Sequence, residues 1–307
     1  MLLGYPAGPD SITLLNLLYS LKEKLKINIF VAHINHGIRD EANSDEEYVV
    51  NYCKKRNIPC FVKRVEIEKI AKKEKIGTEE AGRKIRYEFF EEIYQKEKAN
   101  RIATAHTAND NAETVLMNLL RGTGISGLKG IEPVRSGKYI RPLIECSRKQ
   151  IEEYAKKEKL NPCIDKTNFE NIYTRNKVRN KLIPILEQEY NPNIISALNR
   201  MSDIMQEEEN YWKEVLESEY KKIVIEEKKK QISLNLKEFQ KMHPVMQRKL
   251  IRYVIEKLCG STQKLEKIHV EDIRKMCQKN IGNKYLVPFK GLKVEVKAKR
   301  INVTTMS

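Results

Sequence analysis

Apolar positions recur along this chain in two periods. Leu14, Leu15, Leu18 and Leu21 form a stripe at helical spacing. Ala112, Val115, Leu116, Leu119 and Leu120 form a second, at i, i+3, i+4, i+7 and i+8, which is the spacing of a helix with one buried face. Short β-rich runs lie between the helical stretches, at residues 27–32, 60–65 and 101–105. Strands alternating with helices at this pitch predict an α/β domain with a doubly wound parallel sheet. The ligands of such sheets sit beyond the carboxyl ends of the strands.

The pattern changes near Asn191-Pro192-Asn193. Residues 193–230 read as one long polar helix carrying Trp212, and residues 244–258 and 270–279 as two further helices. Residues 284–303 alternate around Pro288 and Gly291 and read as a small hairpin. Two domains are therefore expected, 1–190 and 191–307, the second mainly helical. Lys228-Lys229-Lys230, behind Glu226-Glu227, reads as a solvated helix end rather than a nucleic-acid site.

Charge adds a partner class. The chain has 58 Lys+Arg against 42 Asp+Glu, a net charge of +16, and such an excess favours a polyanion through counterion release. An AT-rich genome that writes Lys at solvated positions would produce the same excess without any such partner. Six cysteines are scattered with no C-x-x-C pair, so neither zinc nor a redox dithiol is expected. No apolar run approaches the ~18 residues of a membrane span, and the N-terminus shows no basic-then-apolar leader. A cytoplasmic protein with no membrane contact is expected, its thiols reduced.

Five segments concentrate polar chemistry at the starts of helices or the ends of strands. Gly4-Tyr5-Pro6-Ala7-Gly8-Pro9-Asp10-Ser11 is a turn of small residues running into a helix. Such a turn offers backbone N–H groups and a helix dipole to an anion. Asp10 suits a metal ion and Ser11 a phosphate; a plain turn with an Asp cap explains the same residues. Val31-Ala32-His33-Ile34-Asn35-His36-Gly37-Ile38-Arg39 carries two His, an Asn and an Arg out of an apolar strand. It reads as a pocket rim or as structural polar groups. In Ala105-His106-Thr107-Ala108-Asn109-Asp110-Asn111-Ala112-Glu113-Thr114, Asp110 and Glu113 stand at i and i+3 on the first helical turn. That pair suits Mg²⁺ or an amine, or merely the helix dipole. Arg83, Arg86 and Tyr87 share a helical stretch. Arg175 and Arg179 stand at i and i+4 after Asp165-Lys166-Thr167-Asn168. Both sets suit phosphate contacts, or no more than a solvated basic face.

In this order the five segments resemble the tRNA(Ile)-lysidine synthases, a family of PP-loop ATP pyrophosphatases. The first is similar to the S-G-G-x-D-S loop of that family, with Pro6 and Ala7 standing for its Ser and Gly. The second resembles A-H-x-N-H-G-x-R. Residues 80–87 resemble E-A-x-R-x-x-R-Y, and residues 105–114 resemble A-H-x-x-[DN]-D-[QN]-x-E-T. Arg141-Pro142-Leu143 resembles R-P-L, and residues 165–179 resemble D-x-[ST]-N-x6-R-N-x-[VI]-R. The likeness spans residues 5–190. It implies a ligase that uses ATP and Mg²⁺ to join free L-lysine to C2 of the wobble cytidine of tRNA(Ile) with a CAU anticodon, releasing AMP and pyrophosphate.

On this resemblance Asp10, Asp110 and Glu113 are catalytic, and Asp10 and Asp110 hold the metal. Pro6, Ala7, Gly8, Pro9, Asp10, Ser11, His33 and His106 line the ATP site. Arg83, Arg86, Arg175 and Arg179 bind substrate, with Arg83 lining the pocket and Arg175 and Arg179 holding tRNA phosphate. A homodimer is left open. Pro6 has no N–H to donate and Ala7 resists the left-handed backbone that Gly allows, so weakened ATP binding is expected. Residues 1–3 read as short for a first strand. The rival readings are a non-catalytic tRNA-binding relic and a tRNA thiolase of the same fold.

Overall fold

The computed structural model describes residues 1–5, 8–35, 42–160, 174–262, 264–279 and 284–306. Pro6, Ala7, residues 36–39 and residues 165–168 lie outside the described residues. The chain divides into two compact units, Met1–Gln206 and Glu207–Ser307.

The first unit is built on a six-stranded sheet. In chain order its elements are β1 (Leu2–Tyr5), α1 (Pro9–Leu25), β2 (Phe30–Asn35), α2 (Ala42–Lys54), β3 (Cys60–Arg64), α3 (Ile67–Glu74), α4 (Thr78–Lys96), β4 (Ile102–Ala103), α5 (Ala108–Leu120), α6 (Ile125–Leu128), β5 (Val134–Arg135), β6 (Tyr139–Ile140) and α7 (Arg148–Lys157). The strand order is β3-β2-β1-β4-β6-β5. All neighbours are parallel except the β5–β6 edge. The expected doubly wound α/β sheet is therefore present.

Alternation along the strands separates the two faces of the sheet, as period-2 side-chain geometry requires. Leu3, Val31 and Ala103 pack with Leu14, Leu15, Leu18, Val49 and Ile151 of α1, α2 and α7. Leu2, Ala32, Ile34 and Ile102 pack on the other face with Ala81, Ile85, Phe89, Phe90 and Ile93 of α4. The first strand, expected to be short, runs from Leu2 to Tyr5. Leu2 and Leu3 are fully buried, and β1 pairs with both β2 and β4 at the centre of the sheet. Gly4 is required there, because a Cβ would lie 2.3 Å from the Phe90 ring.

Three expectations need correcting. β2 begins at Phe30 rather than 27 and runs to Asn35, so His33 and Asn35 belong to the strand and are buried. The helical stripes are shorter than the periodicity suggests, since Leu21, Leu119 and Leu120 are exposed. On α5, only Ala112, Val115 and Leu116 of that stripe are covered, by Val178, Ile183 and Leu198. Those residues come from the helical stretch after residue 173, namely α8 (Thr174–Lys177), a π turn (Val178–Leu182), α9 (Ile183–Ile185) and a second π turn (Leu186–Tyr190), and from α10 (Ile194–Ile223).

The third correction concerns the second unit. The polar helix stops at Ile223 rather than 230. The β-branched pair Val224-Ile225 opens β7 (Val224–Lys228), which pairs with β8 (Gln231–Asn235). The lysine run thus ends a strand and turns a hairpin; it does not end a helix. Then follow α11 (Leu236–Lys241), α12 (Pro244–Cys259), α13 (Lys267–Gln278), β9 (Lys284–Phe289), β10 (Leu292–Lys297) and β11 (Arg300–Thr305). The expected terminal hairpin is part of a five-stranded antiparallel sheet of order β7-β8-β11-β10-β9. Its one apolar face, with Ile232, Leu234, Val294, Val296, Ile301 and Val303, packs on Leu250, Val254, Ile255 and Ile273 of α12 and α13.

Candidate functional site

Two segments leave the sheet where its strand order reverses, one after β1 and one after β4. In an open α/β sheet this reversal opens a crevice at the carboxyl edge. Gly8 is the N-cap of α1, in extended geometry and with no side-chain cap, and Pro9 follows it. Asp10 is therefore not the cap that a plain turn would make of it. Ser11 is buried, and its N–H turns to the Gly8 carbonyl at 3.1 Å. Asp10 accepts no hydrogen bond from a described residue. Burial, together with the charge of Asp110, pushes its carboxyl up to about 6, against the opposing pull of Arg148 and Arg179.

On the other side Thr107 caps α5. Its hydroxyl accepts from the Asp110 N–H at 3.3 Å, and Asp110 Oδ2 accepts the Thr107 N–H at 2.9 Å, closing a capping box. The neighbouring asparagines of this segment also hold the framework. Asn109 Oδ1 accepts the Arg148 N–H at 2.9 Å. Asn111 Nδ2 donates to Asn199 Oδ1 at 2.7 Å, and Asn111 Oδ1 accepts the Ile131 N–H at 2.6 Å.

The acidic pair and the arginine pair, expected to serve different ligands, form one cluster. Arg175 Nε donates to Glu113 Oε2 at 2.9 Å, and its Nη2 to the Asp110 carbonyl at 3.3 Å. Arg179 Nε donates to Glu113 Oε1 at 2.5 Å, and its Nη2 to Glu113 Oε2 at 2.9 Å and Asp110 Oδ1 at 3.1 Å. The Glu113 side chain is 2% exposed, so it is a buried counter-ion and not an open ligand. Burial opposes ionisation of Asp110, but Arg175, the Thr107 N–H and Arg179 outweigh it and hold the carboxyl below its ordinary range. Burial likewise works against the charge on Arg179, yet Glu113 and Asp110 raise it above the usual guanidinium value. Neither arginine presents the free fork expected of a phosphate clamp, because both are turned onto carboxylates.

His106 lies between these groups. Its Nδ1 pairs with Thr104 Oγ1 at 2.9 Å. Burial lowers the imidazole to about 4 against the attraction of Asp110, so the ring is neutral at pH 7. A folded value below the ordinary 6.5 means that this histidine contributes stability above pH 6.5, and that the contribution is lost as pH falls through about 4. His106→Gln is therefore expected to remove an acid-side loss of order 2 kcal/mol, allowing for partial exposure. Urea unfolding of both proteins between these pH values measures it, and parallel curves would contradict it.

The remaining expected residues are dispersed. His33 is 3% exposed within β2, opposite Tyr5 in the β1 register, and does not form a rim beyond the strand. Asn35 donates to Glu46 at 2.9 Å, and Arg64 binds the same carboxylate bidentately, so this end of β2 braces α2. Arg83 is exposed on α4 with its guanidinium 5.3 Å from the Tyr87 ring centre, and Arg86 is half-buried on the same helix. The sequence reading missed Arg135, Arg141 and Arg148. The R-P-L segment was a signal for the second.

The donor set can be matched to Mg²⁺, which takes one or two carboxylates and completes its shell with water and phosphate oxygens. Asp10 fits, as a half-buried carboxylate whose pKa is raised by burial and then by the neighbouring charge of Asp110. Asp110 fits less well, with Oδ2 in the helix cap and Oδ1 on Arg179. Among the described residues no three His, Cys, Asp or Glu gather around one point, so the other ligands would come from a nucleotide and water. No helix among the described residues is long and apolar enough to cross a membrane.

Comparison with known proteins agrees with this geometry. A tRNA(Ile)-lysidine synthase of Clostridium acetobutylicum is 47% identical over 280 residues, covering 91% of this chain and 60% of the relative. That of Caldanaerobacter subterraneus subsp. tengcongensis is 41% identical over 290 residues, covering 94% and 62%. The chain thus spans about 60% of the length of the curated relatives it matches. Among solved structures, the U34-tRNA thiolase NcsA of Methanococcus maripaludis, with its [4Fe-4S] cluster, superposes with a TM-score of 0.53 at 19% identity. The match covers 67% of this chain and 72% of that one, a likeness of fold alone. The model of the PP-loop domain matches residues 1–186, and with the β1 and β4 segments meeting at the strand-order reversal, the chain belongs to the PP-loop family.

Proposed function

We propose that this chain carries the ATP-dependent part of a lysidine-forming reaction, in which lysine replaces the C2 oxygen of the wobble cytidine of tRNA(Ile) with a CAU anticodon. The observation that carries the reading is the meeting of Asp10, His106, Asp110 and Glu113 at one edge of the sheet. The similarity to curated lysidine synthases over more than 90% of the chain supports it. The cytidine oxygen is a poor leaving group until it is joined to the α-phosphorus of ATP, with loss of pyrophosphate. The lysine amine then attacks C2, and AMP departs with that oxygen.

Gly8, Pro9 and the start of α1 would receive the nucleotide phosphates, as helix N-termini do. Asp10 would hold Mg²⁺, which neutralises charge developing on the departing pyrophosphate. Asp110 and Glu113 act through the arginines they hold. They fix Arg175 and Arg179 in a rigid ion cluster at the same edge, a preorganised polar wall for the reacting groups. Neutral His106 can pair with a substrate group without adding a further cation. Free L-lysine must lose a proton to attack, and a carboxylate of this set is the nearest acceptor class.

Pyrophosphate release tests the reading. It is expected to require tRNA with a cytidine at the wobble position, and to fall to background when that base is a uridine. Equal release with either tRNA, or with none, would contradict it. The thiolase reading draws only on likeness of fold, and no further observation favours it.

A further inference from the structure

The Arg141-Pro142-Leu143 segment has no part in the site described above, yet it places an unusual charge. Arg141 follows β6 at the carboxyl edge of the sheet. It is 7% exposed, and its Nε has no hydrogen-bond partner. Its Nη1 donates to the Glu132 carbonyl, and its own N–H to the Pro133 carbonyl at 3.0 Å. A buried guanidinium ordinarily faces a carboxylate. Arg141 forms no ion pair with a described carboxylate, because Glu132, the nearby acid, pairs with Lys129 at 2.9 Å. More cations stand around it. Arg135 lies on the adjacent strand β5, opposite Tyr139, which is two residues before Arg141. The charges of Arg135 and Arg83 both bear on Arg141, and burial with this repulsion lowers its pKa.

The two neighbouring arginines are held by aromatic faces. The Arg135 guanidinium lies 4.8 Å from the Tyr87 ring centre and 4.6 Å from that of Tyr139. Arg83 lies 5.3 Å from Tyr87, and the two rings meet edge to face at 5.3 Å. A guanidinium stacked on a ring keeps its in-plane N–H edge available for a planar or tetrahedral anion. Neither Arg83 nor Arg135 forms an ion pair with a described carboxylate. The cluster adjoins the candidate site, since Arg141 and Arg83 both act on His106.

We propose that Arg141, Arg135 and Arg83, on the Tyr87–Tyr139 platform, form a seat for a phosphate group of the RNA strand whose base enters the site. This rests on the RNA-substrate reading above and adds to it a place where the strand is held. A phosphodiester would complete the missing partner of Arg141. The exposed Arg83 suits a nucleic-acid strand better than a free anion, because a neighbouring base can stack on a guanidinium plane beside the phosphate.

Arg135→Met and Arg141→Met test the proposal, with Arg135→Lys as the charge-preserving control. Folding of each is checked by urea unfolding. Binding of tRNA is measured across a salt series, with ATP and inorganic pyrophosphate binding in parallel. Folded Arg135→Met and Arg141→Met are expected to bind tRNA at least about tenfold more weakly, as for a lost charge-assisted contact. The salt slope should be smaller by about one and ATP binding unchanged. Arg135→Lys should keep the slope. Should Arg141→Met fail to fold, Arg135→Met decides alone. Unchanged tRNA affinity and slope would overturn the seat. A matching loss of ATP or pyrophosphate affinity would reassign the anion to the nucleotide and overturn the RNA assignment. If the unmodified protein shows no salt-dependent tRNA binding, the RNA-substrate reading falls, and the seat falls with it.

Discussion

Glu113→Gln is expected to lower the free energy of unfolding by about 3–5 kcal/mol, the cost of removing one partner from a buried ion cluster. The carboxylate is 2% exposed and takes three hydrogen bonds from Arg175 and Arg179. A neutral amide of the same shape leaves both guanidinium groups facing Asp110 alone. It also sets its own NH₂ donors against theirs. Because Glu113 lies on α5 and the arginines on the stretch after residue 173, the loss should loosen the docking of that stretch before the sheet itself. Urea unfolding measures the total, and hydrogen exchange measures its distribution. The double variant Glu113→Gln with Arg179→Met should recover part of the cost, since it removes an unpaired cation. A single-variant cost below about 1 kcal/mol would place the cluster among solvent-screened surface pairs.

Asp10→Asn is expected to act in opposite directions on activity and stability. Loss of the carboxylate should reduce ATP-dependent turnover by at least about a hundredfold, the scale of a removed transition-state charge contact. Stability should rise. The carboxyl has its folded value near 6 against an ordinary 3.8, so the favourable contribution of this group is fully present below pH 3.8 and lost as pH rises through 6. At pH 7 the native protein carries the whole penalty, of order 2 kcal/mol, and the amide avoids it. Increased stability without activity is the signature of a site built for function rather than folding. A destabilised variant, or one retaining full turnover, would show that Asp10 is only a helix-start residue.

The sequence made the layers legible because burial on both faces of a parallel sheet leaves short apolar runs, and α1 and α5 keep their stripes through Leu18 and Leu116. The ends of those stripes misled for a physical reason. Leu119 and Leu120 obey the helical period but extend beyond what Val178, Ile183 and Leu198 cover. The polar segments at β1, β2 and β4 were legible as a set, since each ends or follows a strand. Their pairings were not. Arg175 meets Glu113 across 62 residues, and spacing within a helix says nothing of a partner so distant. The helix-dipole reading of Asp110 takes a specific form, as one oxygen closes the Thr107 cap while the other faces Arg179. The strands β7 and β8 were hidden because lysine and glutamate on a sheet face open to solvent look like an exposed helix.

ATP cleavage by this chain is expected to be joined to transfer of lysine onto tRNA, and product stoichiometry measures that coupling. Labelled lysine, tRNA(Ile) with a CAU anticodon, ATP and Mg²⁺ are incubated with the protein, and AMP, pyrophosphate and lysine bound to tRNA are counted together. One of each is expected per turnover, with no incorporation when any component is withheld, and none with Asp10→Asn. AMP and pyrophosphate released without lysine entering tRNA, or tRNA bound with no ATP cleavage at all, would contradict it.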